Sequence, residues 1–213
     1  MKFLPIFKTF QDSKHYKTID LSASHLSSKG VDILDNPSLA NYLEAVKPQR
    51  KAEVLYGGYL EKRALYNDKS HFMLNGKQRN IHLGVDFWAP EGTEVVAPLD
   101  GVVHSFANNA EFGNYGPTIV LKHNIDSKAV YSLYGHLSLD SIEDIKVGDM
   151  ISQGTVFASL GDESVNIGYV PHLHFQLIKD MGNYSGDYPG VCHEDNLAFY
   201  ASNTIDPNIY FKF

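Results

Sequence analysis

The chain has one cysteine, Cys192, and one tryptophan among 213 residues. A single cysteine excludes an internal disulfide, and the plain reading of that thiol is a small buried hydrophobe. Positive charge is also scarce: 18 lysines and arginines face 25 aspartates and glutamates, a formal net charge of −7. An acidic chain without a basic run is not built to bind a phosphate backbone or an anionic membrane surface, which argues against nucleic acid as a partner. No apolar run approaches the roughly 20 residues that span a bilayer, so no transmembrane segment is expected. The first residues, Met1 to Lys8, carry one early charge and a few apolar side chains. Pro5 interrupts them and Lys8 ends them, short of the about 7–15 apolar residues of a secretory leader. By sequence the chain therefore reads as cytoplasmic, or as periplasmic or extracellular if it is a mature form or is exported unconventionally. Low-complexity segments and short-period repeats are missing too.

What is present fits a globular β-rich protein. Hydrophobic residues make up 43% of the chain, with 13 tyrosines and 12 phenylalanines. That supplies a sizeable core and the aromatic content of sheets. Three regions emerge. Residues 1–52 are polar and irregular, with one helix signal: Asn36 as cap, Pro37 in the first turn, then Leu39, Tyr42, Leu43 and Val46 at helical spacing up to Pro48. Residues 53–179 are short Val/Ile/Tyr/Phe runs punctuated by Gly and Pro, such as Thr118–His123 and Ala129–Tyr134, which read as strands. One short helix is expected there, around Ser141–Ile145. Residues 180–213 form a tail of turns and aromatics.

The chemistry concentrates in histidines. His82 and Asp86 stand four apart; His172 and His174 stand two apart; His136 lies between the pairs in sequence. Alternate residues of a strand point to one face, so His172 and His174 can aim at one spot. Gly84, Pro90 and Gly92 disfavour a helix around Asp86, and in an extended segment His82 and Asp86 also share a face. Imidazoles plus a carboxylate are ligands that zinc prefers. A lone strand histidine is usually a satisfied polar residue; two close pairs have little packing reason to converge. His104 and His123 read as structural, and His15, His25 and His71 as solvated.

Several segments in order carry a family resemblance. Arg79–Asp86 contains H-x-x-x-D. Ala89–Pro98 followed by Asp100–Val103 looks like a strand-turn-strand. Tyr134-Gly135-His136-Leu137, the glycine turns at Gly148 and Gly154, and Pro171-His172-Leu173-His174-Phe175 complete the set. From about Gly57 to Ile178 the chain resembles the lysostaphin-type zinc metalloendopeptidases, which cleave peptide bonds in bacterial peptidoglycan. The resemblance implies a mainly β fold, a two-sheet barrel-sandwich hybrid, here with an N-terminal α+β appendage. It implies one zinc ion per chain held by His82, Asp86 and His174, with His136 and His172 as catalytic acid–base or oxyanion-stabilising residues. Three protein ligands leave a fourth tetrahedral position open. The implied partner is peptidoglycan or another peptide. Arg63, in a glycine-then-arginine approach to the first ligand, reads as a carboxylate-recognising fork or a structural ion pair. Tyr115 and Tyr134 are candidates to lend a phenol to an oxyanion. The segments 1–52 and 180–203 lie outside the common pattern and are expected to wall the groove, with Tyr184 and Tyr188 contributing.

Two other classes of function compete. The Val96–Val103 and Val147–Gly154 turns resemble those of biotinyl and lipoyl carriers. A carrier needs a lysine on the hairpin after the second turn, and Thr155–Val170 contains none. The alternative is a non-catalytic peptidoglycan- or peptide-binding regulator of another hydrolase. Such a protein has no need for all five residues, and here all five are kept. The helix-borne H-E-x-x-H of other zinc peptidases does not occur, so a histidine takes the place of its glutamate base.

Overall fold

A computed structural model of the chain describes residues 3–32, 35–47, 54–64, 73–74, 77–111, 113–166, 168–211 and 213. Pro48 and His71 lie outside the described residues. The described strands are, in chain order, β1 Tyr16–Thr18, β2 Val54–Gly57, β3 Met73–Leu74, β4 Lys77–Gln78, β5 Ile81–His82, β6 Val85–Trp88, β7 Glu94–Val96 and β8 Gly101–Asn109. They continue as β9 Gly116–Ile125, β10 Lys128–Gly135, β11 Met150–Ile151, β12 Val156–Ser159, β13 His172–Ile178, β14 Val191–Cys192 and β15 Thr204–Ile205. Three α-helices are described: α1 Ala23–Lys29, α2 Asn36–Val46 and α3 Leu197–Asn203. The protein is mainly β, as expected.

The main sheet runs β1-β2-β6-β13-β10-β9-β8-β11, with β15 added beside β13. Its pairs are antiparallel except β1–β2, which is parallel. A small sheet of β7 and β12 supplies a second layer. Val95 of β7 and Ala158 of β12 pack in one core with Val85, Phe87, Ile119, Leu121, Tyr134, Leu173, Phe175 and Leu177 of the main sheet. Among the described residues the strand pairing does not close into a barrel; the path ends at β1 and β11.

Alternation along β13 separates core from chemistry. Leu173, Phe175 and Leu177 belong to the main core. His172, His174 and Gln176 are buried as well but point to the opposite face. Two smaller apolar clusters share that face. One joins Leu55 and Trp88 to Leu21, Leu26, Leu39 and Leu43 of the α1–α2 region. The other joins Val120, Leu133 and Ile178 to Tyr115, Met181 and Tyr188.

Packing runs across the division expected near residue 52. Phe3, Ile6, Phe7, Phe10 and Tyr16 are buried in the main core, and β1 pairs with β2. Five large apolar residues this early in the chain are better buried in the main core than in a separate small one. The expected helix is present as α2, but its cap is Asp35, whose side chain accepts from Ser38 N; Asn36 is already in the first turn. α1 answers no expectation above, although Ser22 caps its start and Gly30, at φ 67°, ends it. The expected helix near Ser141–Ile145 is a 3₁₀ turn at Leu139–Ile142. In the tail, α3 occupies residues read as turns.

Candidate metal centre and active site

Three adjacent strands of the main sheet deliver most of the histidine–aspartate set. In the register of β13 with β6, His174 stands opposite Asp86 and His172 opposite Trp88. On the other side of β13, Gly135 of β10 stands opposite His174, and His136 follows directly. His82 arrives differently. It does not continue β6; the chain breaks at Leu83–Gly84, and β5 pairs with β14 in a separate ribbon. The break has a steric cause. A Cβ at Gly84 would sit 2.7 Å from both the His174 ring and the Phe175 carbonyl. Only glycine lets the backbone pass so close to the imidazole.

The three expected ligands converge. His82 Nε2 lies 2.9 Å from His174 Nδ1 and 3.3 Å from Asp86 Oδ1, and His174 Nδ1 lies 3.0 Å from the same oxygen. One ligand atom from each falls within 4.8 Å of the others, and all three residues are buried. The outward nitrogens are occupied. His82 Nδ1 donates to Gly58 O at 2.9 Å, and His174 Nε2 to Gln176 Oε1 at 3.1 Å. Those bonds select the tautomers whose lone pairs face the shared point, as outer-shell partners of metal ligands do. Arg63 Nη1 donates to Asp86 Oδ2 at 2.6 Å, while its Nε donates to Glu61 Oε2 at 2.6 Å. Arg63 thus sits in a buried ion pair with Asp86, not on the surface.

His136 and His172 border the same space, with ring centroids 4.2 Å apart. His172 Nδ1 donates to Val170 O at 2.7 Å, and its ring stacks on Trp88. His136 has φ 63°, the left-handed region that a non-glycine residue rarely occupies. Backbone strain of this kind, on the order of 1–3 kcal/mol, clusters at functional sites. Its amide bonds to Tyr115 O, and Gly161 N bonds to its carbonyl, so neighbours on both sides fix the turn. Buried His136 Nδ1 has no hydrogen-bond partner among the described residues.

The electrostatics favour neutral rings and an ionised carboxylate. Burial, reinforced by the charge of Arg63, lowers the His82 pKa to about 4. Burial also lowers His172, and it pushes His136 well below the usual imidazole range. Burial alone would raise Asp86, but its contacts with the two histidines and the charge of Arg63 at 2.6 Å hold it well below the usual carboxylate range. Neutral imidazole and ionised carboxylate are the protonation states in which these side chains bind metal.

The five residues open onto a cavity of about 290 Å³. Arg63, Arg79, Asn114, Tyr115 and Tyr169 also line it, together with Tyr184 and residues 187–191 of the tail. The tail therefore walls the site as expected, with both Tyr184 and Tyr188 in the lining. Among the described residues of 1–52 none is in this lining, contrary to expectation; Phe3, Ile6, Phe7, Phe10 and Tyr16 are committed to the core instead. Tyr134 is buried in the core and bonded to Ser132, away from the cavity. Cys192 is buried beside Ile81 and Leu83, and burial pushes its thiol up to about 11, which fits the small buried hydrophobe expected of it. Sequence reasoning passed over Gln176 and Glu61. Gln176 was within reach of it, being the next residue after His172 and His174 on the same strand face.

Several known proteins are similar to parts of this chain. An uncharacterized metalloprotease of Haemophilus influenzae is 33% identical over 112 residues, 53% of this chain and 21% of that protein. The peptidoglycan DD-endopeptidase ShyC of Vibrio cholerae is 33% identical over 101 residues, 47% of this chain and 21% of that protein. The chain thus spans about a fifth of the length of these curated relatives. Among solved structures, the catalytic domain of lysostaphin from Staphylococcus simulans is 25% identical, with a TM-score of 0.49 over 82% of this chain and 98% of that one. Among the described residues no helix is long and apolar enough to cross a membrane. The model of Peptidase family M23 matches residues 80–186, half of the chain, and the chain belongs to that family.

Proposed function

We propose that the protein is a zinc-dependent endopeptidase that hydrolyses a peptide bond in peptidoglycan cross-bridges or stem peptides. The observation that carries this reading is the convergence of His82 Nε2, Asp86 Oδ1 and His174 Nδ1 at the base of a cavity that His136 and His172 also line. The donor set fits zinc: two imidazoles and one carboxylate, each held from behind by Gly58 O, Gln176 or Arg63. His82, Asp86 and His174 would hold the ion. When bound, zinc supplies Lewis-acid polarisation of a carbonyl and activation of water near neutral pH.

The remaining chemistry belongs to the chain. His136 and His172 are held neutral by burial, so either imidazole can accept a proton from the attacking water. The imidazolium so formed returns a proton to the leaving amine. His136, when it is not the base, can donate a hydrogen bond to the developing oxyanion; neutral His172 cannot, because its one proton is given to Val170 O. The tail wall and Tyr169 exclude bulk water and give aromatic faces for a peptide. The peptidoglycan assignment draws on the activity named for the Vibrio cholerae relative. Preservation of all five residues favours catalysis over a binding-only role.

The test is digestion of purified muropeptides by the zinc-loaded chain, followed by mass spectrometry. New fragments with a free amine at the cut site are expected. Intact muropeptides, with cleavage of an unrelated peptide library, would move the substrate elsewhere; no cleavage of either would sink the enzymatic reading.

A further inference from the structure

The tail wall is bonded to the immediate neighbours of both histidines of the candidate metal centre. Val191 of β14 pairs with His82 of β5, and Leu83 N donates to Gly190 O at 2.8 Å. On the other side, Gln176 is fully buried between His174 and the tail. Its Oε1 accepts from His174 Nε2 at 3.1 Å, and its Nε2 donates to Pro189 O at 3.3 Å. Tyr115 makes a similar link: its hydroxyl donates to Tyr188 O at 3.1 Å and lies 3.5 Å from His174 Nε2. Farther out, Gly186 is pinned by Ser105 Oγ and Asn109 Nδ2 of β8.

We propose that Gln176 is a positioning residue that keeps His174 in its metal-binding tautomer and couples that state to the closed position of the tail segment 186–192. This rests on the reading of His174 as a ligand. Without metal, His174 has two competing tautomers. One carries the proton on Nδ1 and donates it to Asp86 Oδ1, 3.0 Å away, which blocks the atom a metal needs. The other carries it on Nε2 and needs an acceptor there. Gln176 Oε1 is that acceptor. The amide can turn its oxygen to His174 only because its NH₂ finds Pro189 O on the far side. Flipped, it would set NH₂ against the ring N–H and oxygen against the Pro189 carbonyl. Tail and ligand therefore share one side chain, and by linkage what orders one favours the other.

The experiment measures zinc affinity by chelator competition on the full chain, for wild type, Gln176→Met, Gln176→Glu and His174→Ala. Gln176→Met, close in volume but without polar atoms at either end, should bind zinc about 10–100-fold more weakly, the usual cost of an outer-shell partner. Gln176→Glu keeps an oxygen for His174 Nε2 but sets its other oxygen against Pro189 O, so it should recover part of the affinity and still lose the tail response. Amide hydrogen exchange of residues 186–192 should slow on zinc binding in wild type and lose that response in zinc-saturated Gln176→Met. A folded Gln176→Met with wild-type affinity overturns the proposal, as does Gln176→Glu binding as weakly as Gln176→Met. If Gln176→Met does not fold, Gln176→Ala takes its place; and zinc that leaves wild-type exchange of 186–192 unchanged overturns the coupling without any variant. The ligand reading fails separately, if His174→Ala keeps wild-type affinity.

Discussion

Arg63 Nη1 lies 2.6 Å from Asp86 Oδ2, and both side chains are almost wholly buried. The ion pair divides the carboxylate between two tasks, because Oδ1 faces His82 and His174 while Oδ2 answers the guanidinium. Removing one partner of a buried pair leaves an uncompensated charge, at a cost of about 3–5 kcal/mol. Arg63→Met should therefore destabilise the metal-free protein by that order, measured by urea unfolding. Zinc should restore part of the loss, because a bound cation again compensates Asp86. A loss below about 1 kcal/mol, the scale of an exposed pair, would show that the charge is not isolated from water.

Gly84 offers a steric test of the same centre. A methyl group there would meet the His174 ring and the Phe175 carbonyl at 2.7 Å. The carbonyl cannot move without disturbing β13, so the ring has to. Gly84→Ala should cost about 1–3 kcal/mol, the scale of overpacking, and should weaken zinc binding. Thermal unfolding and a zinc titration check both; an Ala variant with unchanged affinity would mean that the His174 ring position is not critical.

The two remaining histidines should separate from the ligands. His136→Ala and His172→Ala are expected to keep their zinc and lose activity by about 10²–10⁴-fold, the range of general acid–base catalysis. Metal analysis alongside turnover on a cleaved muropeptide decides this. Loss of metal from either variant would make that residue a ligand.

Acid should weaken the metal-free protein before its carboxylates titrate. His82, His123, His136 and His172 all have lowered pKa values, chiefly through burial. Their unfolded value is near 6.5, so below that pH the unfolded chain takes up protons that the folded one refuses. Their contribution is complete above pH 6.5 and is lost as pH falls from 6.5 towards about 4, the value for His82. The loss from His82 alone is on the order of 3 kcal/mol. Urea unfolding of chelated protein across this window should show stability falling with pH; a flat profile would place these rings in water.

The site was legible wherever its geometry is local. His172 and His174 share a strand face by the two-residue period, and that same period reaches Gln176. His82 and Asp86 were rightly grouped but for a different geometric reason: the chain breaks at Gly84, and His82 returns through pairing with Val191. A two-residue strand such as Val191–Cys192 has no period to read. Nor does local sequence reveal that Tyr16–Thr18 pairs with Val54–Gly57, because that register is set by burial of Phe7 and Tyr16 against Phe87. The start of α2 differs by one residue because Asp35 and Asn36 are both good caps. Arg63 left two readings open, and burial beside Asp86 decides for the ion pair.

The most direct test of the whole account is the zinc content of the purified chain and of His82→Ala, Asp86→Ala and His174→Ala, measured by elemental mass spectrometry after dialysis. The account predicts one zinc per chain in the wild-type protein and little in each variant, with far-UV circular dichroism unchanged when the wild-type metal is chelated, since a core of this size does not depend on an ion. Full zinc occupancy in any of the three variants, or a wild-type chain that binds none, would contradict it.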